Sequence, residues 1–110
     1  MSWKFKQGSI IGSNAPKSCT IDVIAERLSK ELNIDYSKAH LISQEILIKV
    51  FKERKYRLKD ILSSLNISDN VLIKLFSISS EVDSEIREFI IKNKINLQDE
   101  KSLKVLKDLL

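Results

Sequence analysis

The densest group of chemically active side chains is a run of cations near the middle of the chain. It is interrupted by a single acid, Glu53, and consists of Lys52, Arg54, Lys55, Arg57 and Lys59. The formal net charge is only +4, so this run is a local concentration of charge. Guanidinium and ammonium groups at such density attract phosphates, although a solvated lysine-rich surface is an equal alternative. We expect the run to face a polyanionic partner.

Residues suited to catalysis or metal binding are few. His40 is the only histidine and Cys19 the only cysteine, so the chain offers no disulfide, no CxxC metal site and no cysteine–histidine dyad beside His40. Glu81, Asp83 and Glu85 form an acidic cluster, but acids at the start of a helix are explained by the helix dipole. We therefore expect no enzyme activity, no cofactor and no metal ion.

Hydrophobic periodicity predicts a mainly α-helical fold. Two glycines and the single proline, Pro16, supply few turn signals, which argues against a sheet built from hairpins. Apolar residues recur at helical spacing from Thr20 to Leu32, from about Tyr36 to Lys55, and in shorter segments beyond. The prediction is a compact bundle of about five to six helices, forming one domain over residues 20–110.

Residues 1–19 differ in pattern from the rest and predict an N-terminal arm and loop. Trp3 and Phe5 alternate with Lys4 and Lys6, which indicates a short strand or an extended arm. Lys4 and Lys6 are candidate contacts to a nucleic acid. The start of the chain lacks the apolar stretch of a signal peptide, and no segment is long enough to span a membrane. With a lone cysteine, this composition predicts a cytoplasmic protein.

Polar residues between the apolar segments predict where helices end and begin. Asn33 can adopt the left-handed conformation that closes the first helix, and Asp35 can cap the second. The polar stretch over residues 77–84 predicts a break between two helices, and either Ser80 or Asp83 within it starts the next helix.

The segment from Leu58 to Phe76, "LKDILSSLNISDNVLIKLF", resembles the helix-turn-helix of DNA-binding proteins. That motif has apolar residues at its fourth, eighth, tenth, fifteenth and eighteenth positions, which here are Ile61, Leu65, Ile67, Leu72 and Leu75. Asn66 occupies the ninth position, where the turn needs a positive φ that asparagine tolerates. Leu62 departs from the alanine usual at the fifth position, which either opens the crossing angle or argues against the motif.

The resemblance implies a small protein that binds double-stranded DNA, as a regulator of transcription or of replication and maintenance. The helix after the turn would lie in the major groove and read bases through Ser68, Asp69, Asn70, Lys74 and Ser77. Ile73 would face the DNA on the same side of this helix. The phosphate backbone would be held by the cations that precede it, Arg54, Lys55, Arg57 and Lys59. A purely structural helical hairpin would show the same apolar spacing.

Two alternatives come from other classes of protein. The stretch "AHLISQEI", from Ala39 to Ile46, resembles a helix of the ATP-cone, a regulatory nucleotide-binding module, which implies that Lys4 and Lys6 approach nucleotide phosphates. A ligand-free protein–protein interaction module is the other alternative. Its basis is the last helix, whose Leu103, Leu106 and Leu110 share one face and either dock on the bundle or form an interface such as a homodimer.

Overall fold

The computed structural model describes the backbone of residues 18–110 and the side chains from residue 20 onward. Short connections join its helices: α1 Ser18–Leu32, α2 Tyr36–Ser43, α3 Leu58–Ser64, α4 Asp69–Val82, α5 Ser84–Lys92 and α6 Glu100–Leu109. Helix α2 continues directly into a π-helical segment, Gln44–Lys52. Residues 18–110 contain no strand, and the predicted helical bundle is confirmed. The predicted arm, with Lys4 and Lys6, lies outside the described residues.

Helix α4 is central to the hydrophobic core. It packs against α1 and α5, and its Leu72, Leu75 and Phe76 are completely buried. The same core receives fully or almost fully buried side chains from the other helices, among them Ile24, Leu28, Ile42, Ile46, Leu58, Ile86 and Leu106. Each such apolar side chain stabilises the fold by about 1.5–3 kcal/mol through removal from water. The position of α4 is thus determined by core packing on several sides.

The first connection follows the sequence prediction closely. Asn33 has a φ of 55°, and the Oγ of Ser29 donates a hydrogen bond to the carbonyl of Ile34 at 2.6 Å. Asp35 then caps α2, because its carboxylate accepts a hydrogen bond from the backbone N–H of Ser37 at 3.1 Å. Helix α1 begins at Ser18, two residues before Thr20, the start that the helical spacing predicted.

The predicted polar break over residues 77–84 is wrong in extent, because α4 runs through it to Val82. Ser79 is fully buried, and its Oγ donates to the carbonyl of Leu75 at 2.6 Å. A small hydroxyl that bonds to its own helix can enter the core without an unsatisfied polar atom. Asp83 alone separates the helices and caps α5 by accepting from the N–H of Glu85 at 2.9 Å.

The second predicted helix ends three residues earlier than expected and changes its hydrogen bonding midway. In the π-helical segment the register widens, and at its end the N–H of Glu53 donates to the carbonyl of Ile48 at 2.8 Å. Arg54 then has a φ of 57°, a left-handed conformation that disfavours residues other than glycine. The chain therefore turns away from the helix axis, and residues 53–57 form an exposed loop, called here the cationic loop.

The last helix docks on the bundle. Leu103, Leu106 and Leu110 are all buried, which is one of the two outcomes that their shared face left open. The N–H of Leu58 also donates to the carbonyl of Leu110 at 3.0 Å, which joins the end of α6 to the start of α3. Among residues 18–110, no helix combines the length and apolar composition needed to cross a bilayer.

A matched pair of isoleucine substitutions tests the central position of α4. Ile78→Ala, at a site that is 1% exposed, should lower the free energy of unfolding by about 2–5 kcal/mol, because it leaves a cavity. Ile91→Ala, at a site that is 68% exposed, should change it by less than about 0.5 kcal/mol. Urea denaturation followed by far-ultraviolet circular dichroism measures both. Equal losses in the two variants would contradict this core.

Candidate nucleic-acid interface

The predicted helical pair over residues 58–76 is present as α3 and α4, joined by a tight turn. Asn66 has a φ of 54°, the left-handed conformation expected of it. The N–H of Ile67 returns to the carbonyl of Leu62 at 2.9 Å, which closes the end of α3. Ser68 then caps α4, since its Oγ accepts from the N–H of Val71 at 3.4 Å. The local geometry thus agrees with the turn that the sequence indicated.

The five apolar positions of the motif are all turned toward the protein. Ile61, Leu72 and Leu75 are buried, whereas Leu65 and Ile67 are half-buried against the core. Leu62, the departure from alanine, is half-buried and also packs on the core. These side chains seat the helical pair on the bundle, which is the structural role the spacing predicted.

The residues predicted to read bases fall into two groups on α4. Asn70, Lys74 and Ser77 lie three to four residues apart, so they share with Ile73 the least buried face of the helix. Asn70 is exposed, whereas the other three are half-buried. Asp69 lies about a quarter turn away from Asn70, outside that row.

Two predicted base-reading residues form ion pairs with other helices. Lys74 Nζ lies 3.3 Å from an oxygen of Glu31 on α1. Asp69 accepts a hydrogen bond from Lys107 on α6 at 2.7 Å. Both pairs are accessible to solvent, and such pairs contribute only about 0–1 kcal/mol. A phosphate or a base edge could therefore displace the carboxylate of Glu31 from Lys74 at small energetic expense.

The predicted cationic run divides into paired and unpaired members. Lys52 forms ion pairs with Asp83 and Glu85 on either side of the start of α5, and Lys59 lies 3.1 Å from Asp108 on α6. The three others, Arg54, Lys55 and Arg57, are exposed and have no carboxylate within 4.0 Å in the described part of the chain.

The first 19 residues cannot supply partners for these three cations, because they contain no aspartate or glutamate. Their own cations, including Lys4 and Lys6, instead add positive charge to the chain. The charge of Arg54, Lys55 and Arg57 is therefore uncompensated by any nearby carboxylate side chain.

The cationic loop borders an open cleft of about 260 Å³ at the end of α6. Its lining residues are Val50, Arg54, Lys55, Tyr56, Arg57, Asp108, Leu109 and Leu110. Tyr56 is 50% exposed, and Lys49 Nζ lies 5.5 Å from the centre of its ring. A hydrogen bond to Glu45 raises the pKa of Lys49 above its ordinary value, so Lys49 remains a cation beside this ring.

Tyr56 was missed as a candidate site residue. Its signal is an aromatic residue directly between Lys55 and Arg57, a combination that suits stacking on a base together with contact to a phosphate. The sequence could not show that the end of α6 forms the opposite wall, because that contact joins residues far apart in the chain.

The histidine region forms a small polar contact and no larger constellation. His40 Nε2 lies 3.1 Å from a carboxylate oxygen of Asp22, and the ring of Tyr36 packs nearby. Partial desolvation of Tyr36 raises the pKa of its hydroxyl above the ordinary value, and the charge of Asp22 adds to the rise. Within residues 20–110, no group of three or more histidine, cysteine or acidic side chains is arranged to hold a metal ion.

The residues on which the ATP-cone resemblance rests lie in the hydrophobic core. Ala39, Ile42, Ser43 and Ile46 are buried, and the Oγ of Ser43 donates to the carbonyl of Ala39 at 2.8 Å. Nucleotide binding of that kind remains a prediction, since the lysines it requires lie outside the described residues.

Comparison with known proteins adds no family to this geometry. No protein-family model matches the chain, and no match is found among curated proteins or among solved structures. The helical pair and the cationic loop must therefore be interpreted from their own side chains.

A pair of glycine substitutions tests the conformation of the cationic loop. Arg54→Gly should raise the free energy of unfolding by about 0.5–1 kcal/mol, because glycine adopts a positive φ without strain. Lys55→Gly should lower it by about 0.4–1 kcal/mol, because the φ of Lys55 is not positive and glycine there only increases the freedom of the unfolded chain. Urea denaturation gives both values, and effects of the same sign would contradict the turn at Arg54.

Proposed function

We propose that this protein binds double-stranded DNA through α3, α4 and the cationic loop, and that it acts in the cytoplasm as a regulator of transcription or of replication and maintenance. The observation that carries the proposal is the group of three exposed, unpaired cations, Arg54, Lys55 and Arg57, immediately before a helical pair with a tight turn. The cations supply affinity for the phosphate backbone, and α4 supplies a face for the bases.

Unpaired cations suit this role better than paired ones. When Arg54, Lys55 or Arg57 approaches a phosphate, it releases counterions from the DNA and has no internal carboxylate to leave. Lys59 must first separate from Asp108, so it contributes less to the same contact. Backbone contacts of this kind set the orientation of a protein on the duplex without reading its sequence.

Base reading falls to the N-terminal half of α4. Asn70 can form paired hydrogen bonds with an adenine, and Lys74 can reach a guanine or a phosphate after leaving Glu31. Asp69 would repel a phosphate, but Lys107 neutralises much of that repulsion, and Asp69 could accept a hydrogen bond from a cytosine amino group. Ser68 and Ser77 border this reading surface at its two ends.

Charge-matched triple variants test the proposal. Arg54→Gln, Lys55→Gln and Arg57→Gln together should weaken binding to a nonspecific duplex and reduce the slope of log K against log salt by about 0.9 for each phosphate that the protein no longer neutralises. The control removes the same charge from exposed residues elsewhere, by Lys38→Gln, Lys92→Gln and Lys101→Gln. Fluorescence anisotropy at several salt concentrations measures both.

The control triple variant should retain most of the affinity and nearly the full salt slope. If the wild-type protein shows no salt-dependent binding to duplex DNA, or if both triple variants lose affinity equally, the cationic loop is not a DNA contact. A specific reading role for α4 would appear separately, as a loss of sequence preference in Asn70→Ala.

A second candidate is a protein–protein interaction through α6, with another copy of the chain as the partner. Val105 and Leu109 are 45% and 47% exposed and lie four residues apart, so they form an apolar stripe on the outer side of a helix whose inner side is docked. A two-fold dimer through this stripe would present two copies of α4 to DNA, which suits the first proposal.

Charge inserted into the stripe tests this dimer. Val105→Glu should convert a dimer to a monomer, because it would bury an unpaired carboxylate at the interface. Val23→Glu, at a residue that is 44% exposed on α1, is the matched control and should leave the dimer intact. Light scattering coupled to gel filtration measures the mass, and a monomeric wild-type protein at high concentration would contradict the candidate.

A further inference from the structure

The cleft beside the cationic loop has the form of a small-ligand site rather than of a flat contact surface. Its volume, about 260 Å³, is slightly below the usual range for small-molecule pockets and is suited to a phosphate with its sugar. Val50 and Leu110, which are 1% and 7% exposed, contribute an apolar base.

Three of the lining side chains are cations without an acidic partner. Arg54, Lys55 and Arg57 contribute to the same cleft, and arginine binds phosphate with two parallel hydrogen bonds. The only acidic side chain of the lining, Asp108, already pairs with Lys59 at 3.1 Å, so its charge is compensated from outside the lining set. The cleft therefore has the charge of an anion site.

Tyr56 adds recognition of a flat group beside the anion. Tyr56 lines the cleft and is 50% exposed, so a base can stack on an accessible part of its ring. Stacking of a base on an aromatic side chain contributes about 1–3 kcal/mol and does not require a particular sequence. A nucleotide carries both a phosphate and a flat base, so a cleft with an anion site and a stacking surface suits a nucleotide.

The shape of the cleft selects a flexible strand end over the interior of a duplex. Bases in a duplex are stacked on each other and unavailable to Tyr56, whereas a terminal nucleotide can bend into a recess. A terminal phosphate also carries more negative charge than the single charge of an internal phosphodiester. These two differences favour an end that bears a phosphate.

From this geometry we propose that the cleft binds a terminal nucleotide phosphate, with Arg54 and Arg57 donating to its oxygens and Tyr56 stacking on the base. The inference rests on the proposed nucleic-acid function and gives the same cations a second ligand, a strand end in place of the duplex backbone. The same chemistry is present in a 5′-phosphorylated strand and in a free nucleoside monophosphate.

The test compares two single-stranded oligothymidines that differ only in a 5′-phosphate, with a fluorophore at the 3′ end. Wild-type protein should bind the phosphorylated strand at least about tenfold more tightly, as a charged hydrogen-bonded contact provides. The double variant Arg54→Gln, Arg57→Gln should remove this preference. Tyr56→Leu should weaken both strands by about five- to a hundredfold while the preference for phosphate persists.

Lys92→Gln is the control, because Lys92 is an exposed cation on α5 that does not line the cleft, so the preference should survive this change. Competition with thymidine 5′-monophosphate identifies the source of the ligand: strong displacement indicates a free nucleotide, and weak displacement indicates a strand end. Equal affinity for the two strands, or a preference unchanged in the double arginine variant, would overturn the inference.

The two proposals fail in different ways. A protein that prefers the 5′-phosphate yet shows no binding to duplex supports the cleft and contradicts the duplex proposal. A protein that binds duplex DNA with a steep salt dependence but shows no preference for the 5′-phosphate supports the duplex proposal and contradicts the cleft.

Discussion

The packing of α4 into the core is the constraint on which the rest of this structure depends. Leu72, Leu75 and Phe76 are completely buried, so the helix has one orientation in which its apolar side chains leave water. That orientation places Asn70, Lys74 and Ser77 on the remaining, partly open face. It also determines where α3 lies, because the turn at Asn66 is too short to allow an independent position. The candidate reading surface is thus a by-product of core packing.

Ion pairing then separates the cations of this surface into two kinds. Lys59, Lys74 and Lys107 each lie beside a carboxylate of another helix, whereas Arg54, Lys55 and Arg57 do not. The paired lysines link neighbouring helices weakly, whereas the three unpaired cations are exposed to solvent with their charge uncompensated. This distribution is why the cationic loop, rather than α4, is the stronger argument for a polyanionic ligand. The proposed function is therefore inferred chiefly from the cations that form no ion pair with another part of the fold.

The backbone of the cationic loop adopts a conformation that is less stable than an ordinary helix end. A widened π-helical register precedes it, and Arg54 has a left-handed conformation that costs an ordinary residue about 1–2 kcal/mol. Glycine would avoid that cost but would remove a cation from the cleft. Lys94 has the same left-handed conformation just after α5, so this backbone ends helical segments in this protein, and at Arg54 it also places a cation in the cleft.

Much of the architecture was predictable from local signals in the sequence. The sequence alone determined the helical spacing, the left-handed residues Asn33 and Asn66, and the cap Asp35, because each depends on neighbours within a few positions. It offered Asp83 as one of two possible starts of α5. The extent of α4 was not predictable, because Ser79 looks like a turn residue until its hydroxyl is seen bonded within a buried helix. The end of the second helix was also misjudged, since the π register and the turn at Arg54 have no simple sequence signal.

Only the tertiary structure decided which charges are free and which side chains form one site. Asp69 pairs with Lys107, and Tyr56 lines one cleft together with the end of α6, although these residues are far apart in the chain. The sequence by itself determined that the chain would form amphipathic helices with a basic segment between two of them. The physical reason for the difference is that helix formation and capping involve near neighbours, whereas ion pairing and cleft formation depend on how separate helices pack.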